Sequence, residues 1–152
     1  MTLKIGLNLL KRYSPNFDLP ERKKKQIKFI IIHYTGMNKE SLAIKRLRDP
    51  KSKVSAHYFI KDNGNIINIV PDTYVAWHSG KSLWKSYKSL NKYSIGIEIS
   101  NPGHNNNYKS FSFNQISSLL KLIKFLVKKY KIKKMNILGH SDIAPNRKKD
   151  PG

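Results

Sequence analysis

Ile27-Lys28-Phe29-Ile30-Ile31-Ile32-His33-Tyr34-Thr35-Gly36 is the stretch on which the fold turns. Ile27 to His33 is almost purely apolar and β-branched, the pattern of a strand buried on both faces, and Tyr34-Thr35-Gly36 breaks it. A strand covered on both sides needs helices to cover it, and two helical patterns follow. Glu40 to Arg48 reads as a short helix with Leu42, Ile44 and Leu47 apolar and Asp49-Pro50 as its stop. Ser112-Phe113-Asn114-Gln115 fits a capping box. The helix behind it runs to about Tyr130, with Ile116, Leu119, Leu120, Ile123, Val127 and Tyr130 on one face and Lys121, Lys124 and Lys128 on the other. Between the helices, Ala56 to Lys61 and Ile66 to Val70 flank Asp62-Asn63-Gly64-Asn65, a strong hairpin signal. Ser94 to Ser100 alternates, and Met135 to Leu138 is a last strand. This order predicts an α/β domain, a mixed central sheet flanked by helices. Residues 1–26 read as an N-terminal arm, because Ser14-Pro15-Asn16, Leu19-Pro20 and the run Glu21 to Lys25 argue against a core element there. Residues 27–152 form the domain.

A chain of 152 residues is long enough for one real core. The hydrophobic fraction of 39% suits a globular fold with a wet surface. Lys and Arg number 30 against 9 Asp and Glu, a net charge of +21. Such a balance suits a polyanionic partner, but the lysines are spread along the chain, which favours a solubilising role. There are no cysteines, which excludes disulfides, thiolate metal sites and a Cys nucleophile. No apolar run approaches the roughly 20 residues of a membrane span. Met1 to Leu10 makes a poor signal peptide, so the expected compartment is cytoplasmic, with the cell envelope as the alternative.

His33 and His140 each stand where an apolar run gives way to a loop, where functional groups of α/β folds gather. Asp150 follows His140 after one Pro-containing loop, and Pro151 biases its backbone towards an extended form. Two imidazoles and a carboxylate are a common way to hold a catalytic zinc with one position left for water, so the trio reads as a hydrolase centre. Asp142 is a rival ligand or a brace for an imidazole. Ile95, Ile97 and Ile99 point one way along their strand, while Gly96 and Glu98 point the other. From the residues alone, Glu98 is either a working carboxylate or an ordinary exposed one, and the second is simpler. His57 starts a hairpin strand and reads as core packing. His78, beside Trp77 and Gly80, reads as a pocket wall that contacts a ligand. His104 lies in a polar loop and reads as a spectator.

Six stretches together resemble a known family. They are Ser14 to Asp18, Ile32 to Met37, Val54 to Tyr58, Ala76 to Gly80, Asn91 to Asn101 and Gly139 to Gly152. In this order they are similar to the zinc-dependent N-acetylmuramoyl-L-alanine amidases of the AmpD type, whose fold is shared with peptidoglycan recognition proteins. The resemblance implies Zn2+ held by His33, His140 and Asp150, Glu98 as acid/base group and Lys148 as stabiliser of the oxyanion. It also implies cleavage of the amide between the lactyl group of N-acetylmuramic acid and L-alanine, in peptidoglycan or muropeptides. Tyr34, Trp77, His78 and Asn91, with Trp84, are the candidates to line the cleft. If the loop before Pro151 is extended, Lys148 shares a side with Asp150 and Lys149 faces solvent. The family pattern continues past Asp-Pro-Gly with an aromatic-rich segment, whereas this sequence ends at Gly152. A binding-only recognition protein on the same fold typically lacks part of the zinc set. A nucleic-acid-binding protein would explain the charge, but the chain has no zinc-finger spacing, RNP-like motif or basic heptad region.

Overall fold

The computed structural model describes residue 7 and residues 9–152. In chain order the elements are β1 (Leu9–Lys11), β2 (Phe17–Asp18), β3 (Phe29–Tyr34), α1 (Glu40–Arg48), β4 (Tyr58–Ile60), β5 (Ile66–Asn68), β6 (Val75–Ala76), β7 (Leu83–Trp84), β8 (Tyr87–Lys88), β9 (Ser94–Ile99), α2 (Phe113–Tyr130), β10 (Ile137–Gly139) and α3 (His140–Ile143). Six strands form one sheet in the order β1-β5-β4-β9-β3-β10. The β4–β5 hairpin is antiparallel, and β4, β9, β3 and β10 run parallel to one another. This is the mixed, helix-flanked sheet that the sequence predicts.

The period of two along each strand sorts the side chains by face. Ile30, Ile95, Ile97 and Ile99 pack under α2 against Leu119, Leu122 and Leu126. On the opposite face Phe59, Ile67 and Ile69 meet Ala43, Ile44 and Leu47 of α1, while Phe29 and Ile31 meet Leu138 and Ile143. His33 has the same parity as Phe29 and Ile31, and its partner in register is Glu98. Gly139 pairs with Ile32, so His140 follows at the same sheet edge. Three parallel strands therefore deliver His33, Glu98 and His140 to their common carboxyl end, where crevices form in α/β sheets.

Several elements differ from the sequence reading. Among the described residues of the expected arm, Leu9–Lys11 forms an edge strand paired with β5, and Phe17–Asp18 pairs with β6. Arg22 is buried there because its N–H groups find the carbonyls of Asp72 and Asn91. Residues 1–6 and 8 lie outside the described residues. In α1, Ala43 is buried and Leu42 is 49% exposed. The buried face of α2 is centred on Leu119, Leu122 and Leu126, leaving Leu120 51% exposed. The face is set by where the sheet lies, not by the largest number of apolar residues in line. Met135 lies in a 3-10 turn before β10 and is exposed.

Candidate metal and catalytic site

His33 Nδ1, His140 Nδ1 and Asp150 Oδ2 face one another at 2.9, 3.2 and 3.1 Å. All three residues are buried. The edges of this triangle are close to what a small tetrahedral cation needs, since bonds of about 2.0–2.1 Å set ligand atoms about 3.3 Å apart. His140 Nε2 stands 3.1 Å from the Ser79 carbonyl oxygen. A carbonyl only accepts, so the proton of neutral His140 is on Nε2 and its Nδ1 lone pair points into the triangle. The donor set, two imidazoles and one carboxylate, therefore fits a zinc-like ion. Burial draws the His33 pKa down to about 4, with the His140 ring adding to the fall and Asp150 opposing it. Burial alone would raise the Asp150 carboxyl, but its contacts with His140 and His33 outweigh that and hold it below the usual carboxylate range.

A cavity of about 440 Å³ opens over this triangle. Glu98 reaches into it with Oε2 buried and without a hydrogen-bond partner. Burial raises its pKa well above the ordinary value, the Asp150 charge adds to the rise, and Lys148 and Arg46 oppose it. A carboxylate with one buried, unpaired oxygen beside such a triangle makes Glu98 a candidate proton carrier. Lys148 is half-buried in the cavity lining and acts electrostatically on both Glu98 and His33. Lys149 also lines the cavity but is exposed. The loop that carries both is not extended throughout. Helix α3 starts at His140 and ends at Ile143, and the chain then turns, the Lys148 N–H donating to the Ala144 carbonyl at 2.9 Å, so only Lys148 and Lys149 lie outside helix, bend and turn before Asp150.

Tyr34 and Trp77 line the cavity as candidate walls. Trp77 is held from below, its Nε1–H donating to Asp18 Oδ1 at 2.8 Å and its backbone N–H to Ser55 Oγ at 2.9 Å. His78 only edges the cavity, and both its ring nitrogens are engaged inside the protein, Nδ1 with His33 Nε2 at 3.0 Å and Nε2 with Ser94 Oγ at 3.1 Å. Asn91 is not brought to the cavity. Its Oδ1 accepts from the backbone N–H groups of His78 and Ser79 and from the Ser79 hydroxyl, bracing the loop that carries them. Trp84 packs instead with the cluster around Phe29, Ile31 and Leu138. Asp142 accepts from the Gly139 N–H at 2.7 Å and so caps α3. His57 is fully buried against Gly96 and Tyr74, as expected of packing.

Three contributors escaped the sequence reading. Arg147 donates to the carbonyls of Ser79 and Lys81, both at 2.9 Å, and Arg46 enters the cavity lining from α1. His104, read as a spectator, is held at the cavity's rim residue Tyr34, its Nδ1 2.9 Å from the Tyr34 hydroxyl and its ring stacked on Tyr108 at 4.8 Å. Each depends on contacts between distant segments, and only Arg147, inside the Gly139 to Gly152 stretch, lay where a signal existed.

Comparison with known proteins places this geometry. A family profile described as N-acetylmuramoyl-L-alanine amidase matches residues 23–152. The chain is 38% identical over 139 residues to the Escherichia coli N-acetylmuramoyl-L-alanine amidase AmiD, covering 84% of this chain and 49% of that protein. It is 34% identical over 157 residues to the Haemophilus influenzae 1,6-anhydro-N-acetylmuramyl-L-alanine amidase AmpD, covering 91% of this chain and 83% of that one. A solved complex of E. coli AmiD with anhydro-N-acetylmuramic acid-L-Ala-D-gamma-Glu-L-Lys superposes with a TM-score of 0.75 at 37% identity, over 84% of this chain and 53% of the other. The chain thus spans about half the length of AmiD.

Proposed function

We propose that this chain, which belongs to the N-acetylmuramoyl-L-alanine amidase family, hydrolyses the amide between the lactyl group of N-acetylmuramic acid and L-alanine in a muropeptide or peptidoglycan strand. The observation that carries this reading is the buried His33–His140–Asp150 triangle beside the unpartnered Glu98 carboxylate and the Lys148 ammonium. The triangle would hold Zn2+, which when bound supplies a Lewis acid that acidifies water and polarises a carbonyl. Glu98 is the proton carrier. Its raised pKa suits it to take a proton from the attacking water and to return it to the departing amine of L-alanine. Lys148 places positive charge where the carbonyl oxygen becomes an oxyanion. Tyr34 and Trp77 give the cavity the apolar and aromatic wall that orients a sugar–peptide junction. A complete ligand triangle with a proton carrier beside it favours an enzyme over a binding-only recognition protein. Among the described residues no helix is long and apolar enough to cross a membrane.

The test is mass spectrometry of two digests, one of intact sacculi and one of purified anhydro-muropeptide, before and after chelation. Released peptides beginning with L-alanine, lost on chelation and restored by zinc, are the expected result. Activity that survives exhaustive chelation, or cleavage at another bond, would overturn the reading.

A further inference from the structure

A line of hydrogen bonds runs from the Leu90 carbonyl to the metal-ligand triangle, and its direction is fixed at the far end. The carbonyl only accepts, so the Ser94 hydroxyl donates to it, at 2.7 Å. Ser94 Oγ then meets His78 Nε2 as an acceptor, at 3.1 Å, which puts the proton of neutral His78 on Nε2. His78 Nδ1 is left as a bare lone pair and accepts from His33 Nε2–H at 3.0 Å. His33 Nδ1 in turn carries no proton and faces His140 Nδ1 and Asp150 Oδ2. Each step follows from the one before, because each ring or hydroxyl has one proton to give and uses it on the Leu90 side of its neighbour.

The seat of the His78 ring is also specific. A Cβ on Gly96 would stand 2.4–2.6 Å from the ring, so only glycine admits the ring at this point of β9. The Gly96 backbone is pinned from the other side, its N–H donating to His57 Nδ1 and its carbonyl accepting from the His57 N–H, both at 3.0 Å. His78 has been read from sequence as a wall that touches substrate, yet neither of its nitrogens is free to do so.

The geometry points to His78 as a positioning residue that selects the tautomer in which His33 offers Nδ1 to a cation, with Ser94 setting the tautomer of His78 and Gly96 making its seat. The inference rests on the metal-site reading above. Outer partners of this kind hold a ligand's tautomer and orientation, and losing one typically weakens metal binding about 10–100-fold.

Two measurements test it. The first needs no metal. Long-range proton–nitrogen spectra of the zinc-free protein near neutral pH should show His33 protonated at Nε2 and bare at Nδ1, and His78→Ala should lose that single tautomer. The second is zinc affinity by chelator competition, with circular dichroism to confirm the fold. His78→Ala should bind about 10–100-fold more weakly. His78→Asn, whose Oδ1 stands where Nδ1 stood as acceptor, should regain most of the loss. Ser94→Ala, which touches no ligand, should fall between. If His78→Ala fails to fold, Ser94→Ala and His78→Asn decide. A His33 protonated at Nδ1 in the wild-type protein would overturn the inference whatever zinc does, and so would unchanged zinc affinity in the folded variants or an Asn variant no better than Ala. A wild-type protein with the expected tautomer but no zinc affinity would instead overturn the zinc reading and leave the tautomer assignment standing.

Discussion

Glu98 sets function against stability at a single residue. Its Oε2 is buried without a partner, so the ionised form is disfavoured in the folded chain and its pKa is raised well above the ordinary value. A raised pKa means that the folded state holds the proton more tightly than the unfolded one. The penalty is therefore absent at acid pH and grows as pH rises past the ordinary Glu value towards the folded one. Glu98→Gln removes the charge and keeps the shape. In chelator-stripped protein it should unfold at higher temperature than wild type near neutral pH, with the gap closing below about pH 4. The same variant should lose turnover roughly a hundredfold or more while retaining zinc. Wild-type turnover, or a thermal gap of opposite sign, would return Glu98 to the rank of a surface carboxylate. The neighbouring lysines separate in the same way. Lys148 is half-buried and bears electrostatically on Glu98 and His33, whereas Lys149 is exposed. Lys148→Ala should cost roughly a hundredfold in turnover with zinc retained, and Lys149→Ala should stay close to wild type. Side-by-side rates decide this, and an equal or larger loss at Lys149 would reassign the oxyanion role. The positions of His33 and His140 were legible because strand ends place them, whereas strand parity left Glu98 an ordinary exposed carboxylate and only the family resemblance singled it out. The part played by Asn91 was not legible, because three hydrogen bonds to the loop at Ser79 define it and no local pattern records them.

At the scale of elements, legibility followed length and local signals. The six-residue strands β3 and β9 and the helices α1 and α2 carry enough turns or alternations for a period to show. The short strands β4, β5 and β10 were read from the Asn63-Gly64 turn and from apolar runs, whereas the similarly short β1, β2, β6, β7 and β8 carry no such signal. Asp72, in the loop between β5 and β6, ties α2 to β4. Its Oδ1 accepts the Tyr58 hydroxyl at 2.6 Å, and its Oδ2 accepts the Tyr130 hydroxyl at 2.6 Å and the Lys129 ammonium at 2.8 Å. Burial alone would raise its pKa, but the bonds from Lys129, Tyr130 and Tyr58 outweigh that and lower it. A lowered carboxylate pKa contributes stability that is present above the unfolded value and is lost as pH falls through the folded one. Asp72→Asn replaces one acceptor with a donor among three donors. It should destabilise the fold by about 1–3 kcal/mol at neutral pH, and its deficit should shrink on acidification. Urea unfolding of both proteins, from neutral pH down towards pH 3, checks the size and the sign. A deficit that grows with acid would mean that the carboxylate is not the charged centre of this cluster.

The whole molecule carries a net charge of +21, and the sequence, read as lysines scattered along a chain, assigns most of it to solubility. Folding changes the weight of that observation at one place. Arg46 from α1 and Arg147, Lys148 and Lys149 from the loop before Asp150 converge on the lining of a single cavity, where Glu98 and Asp150 are the carboxylates. No sequence pattern brings residue 46 beside residue 147; the parallel order of β3, β9 and β10 does. A cationic mouth on a strongly cationic body attracts an anionic substrate over distances set by the ionic strength. The muropeptide proposed above as substrate has a peptide with free carboxylates and so is anionic. Between about 10 and about 150 mM salt the screening length falls from about 30 to about 8 Å. Over that range kcat/KM on a muropeptide should fall several-fold, while kcat at saturation stays nearly constant, because screening acts on the encounter and not on the buried chemistry. An analogue whose peptide carboxylates are amidated should show a much flatter dependence. Steady-state rates at a series of salt concentrations, on both compounds, give the answer. Equal salt dependence for the two, or an effect on kcat alone, would mean that the charge of this protein does not steer its substrate.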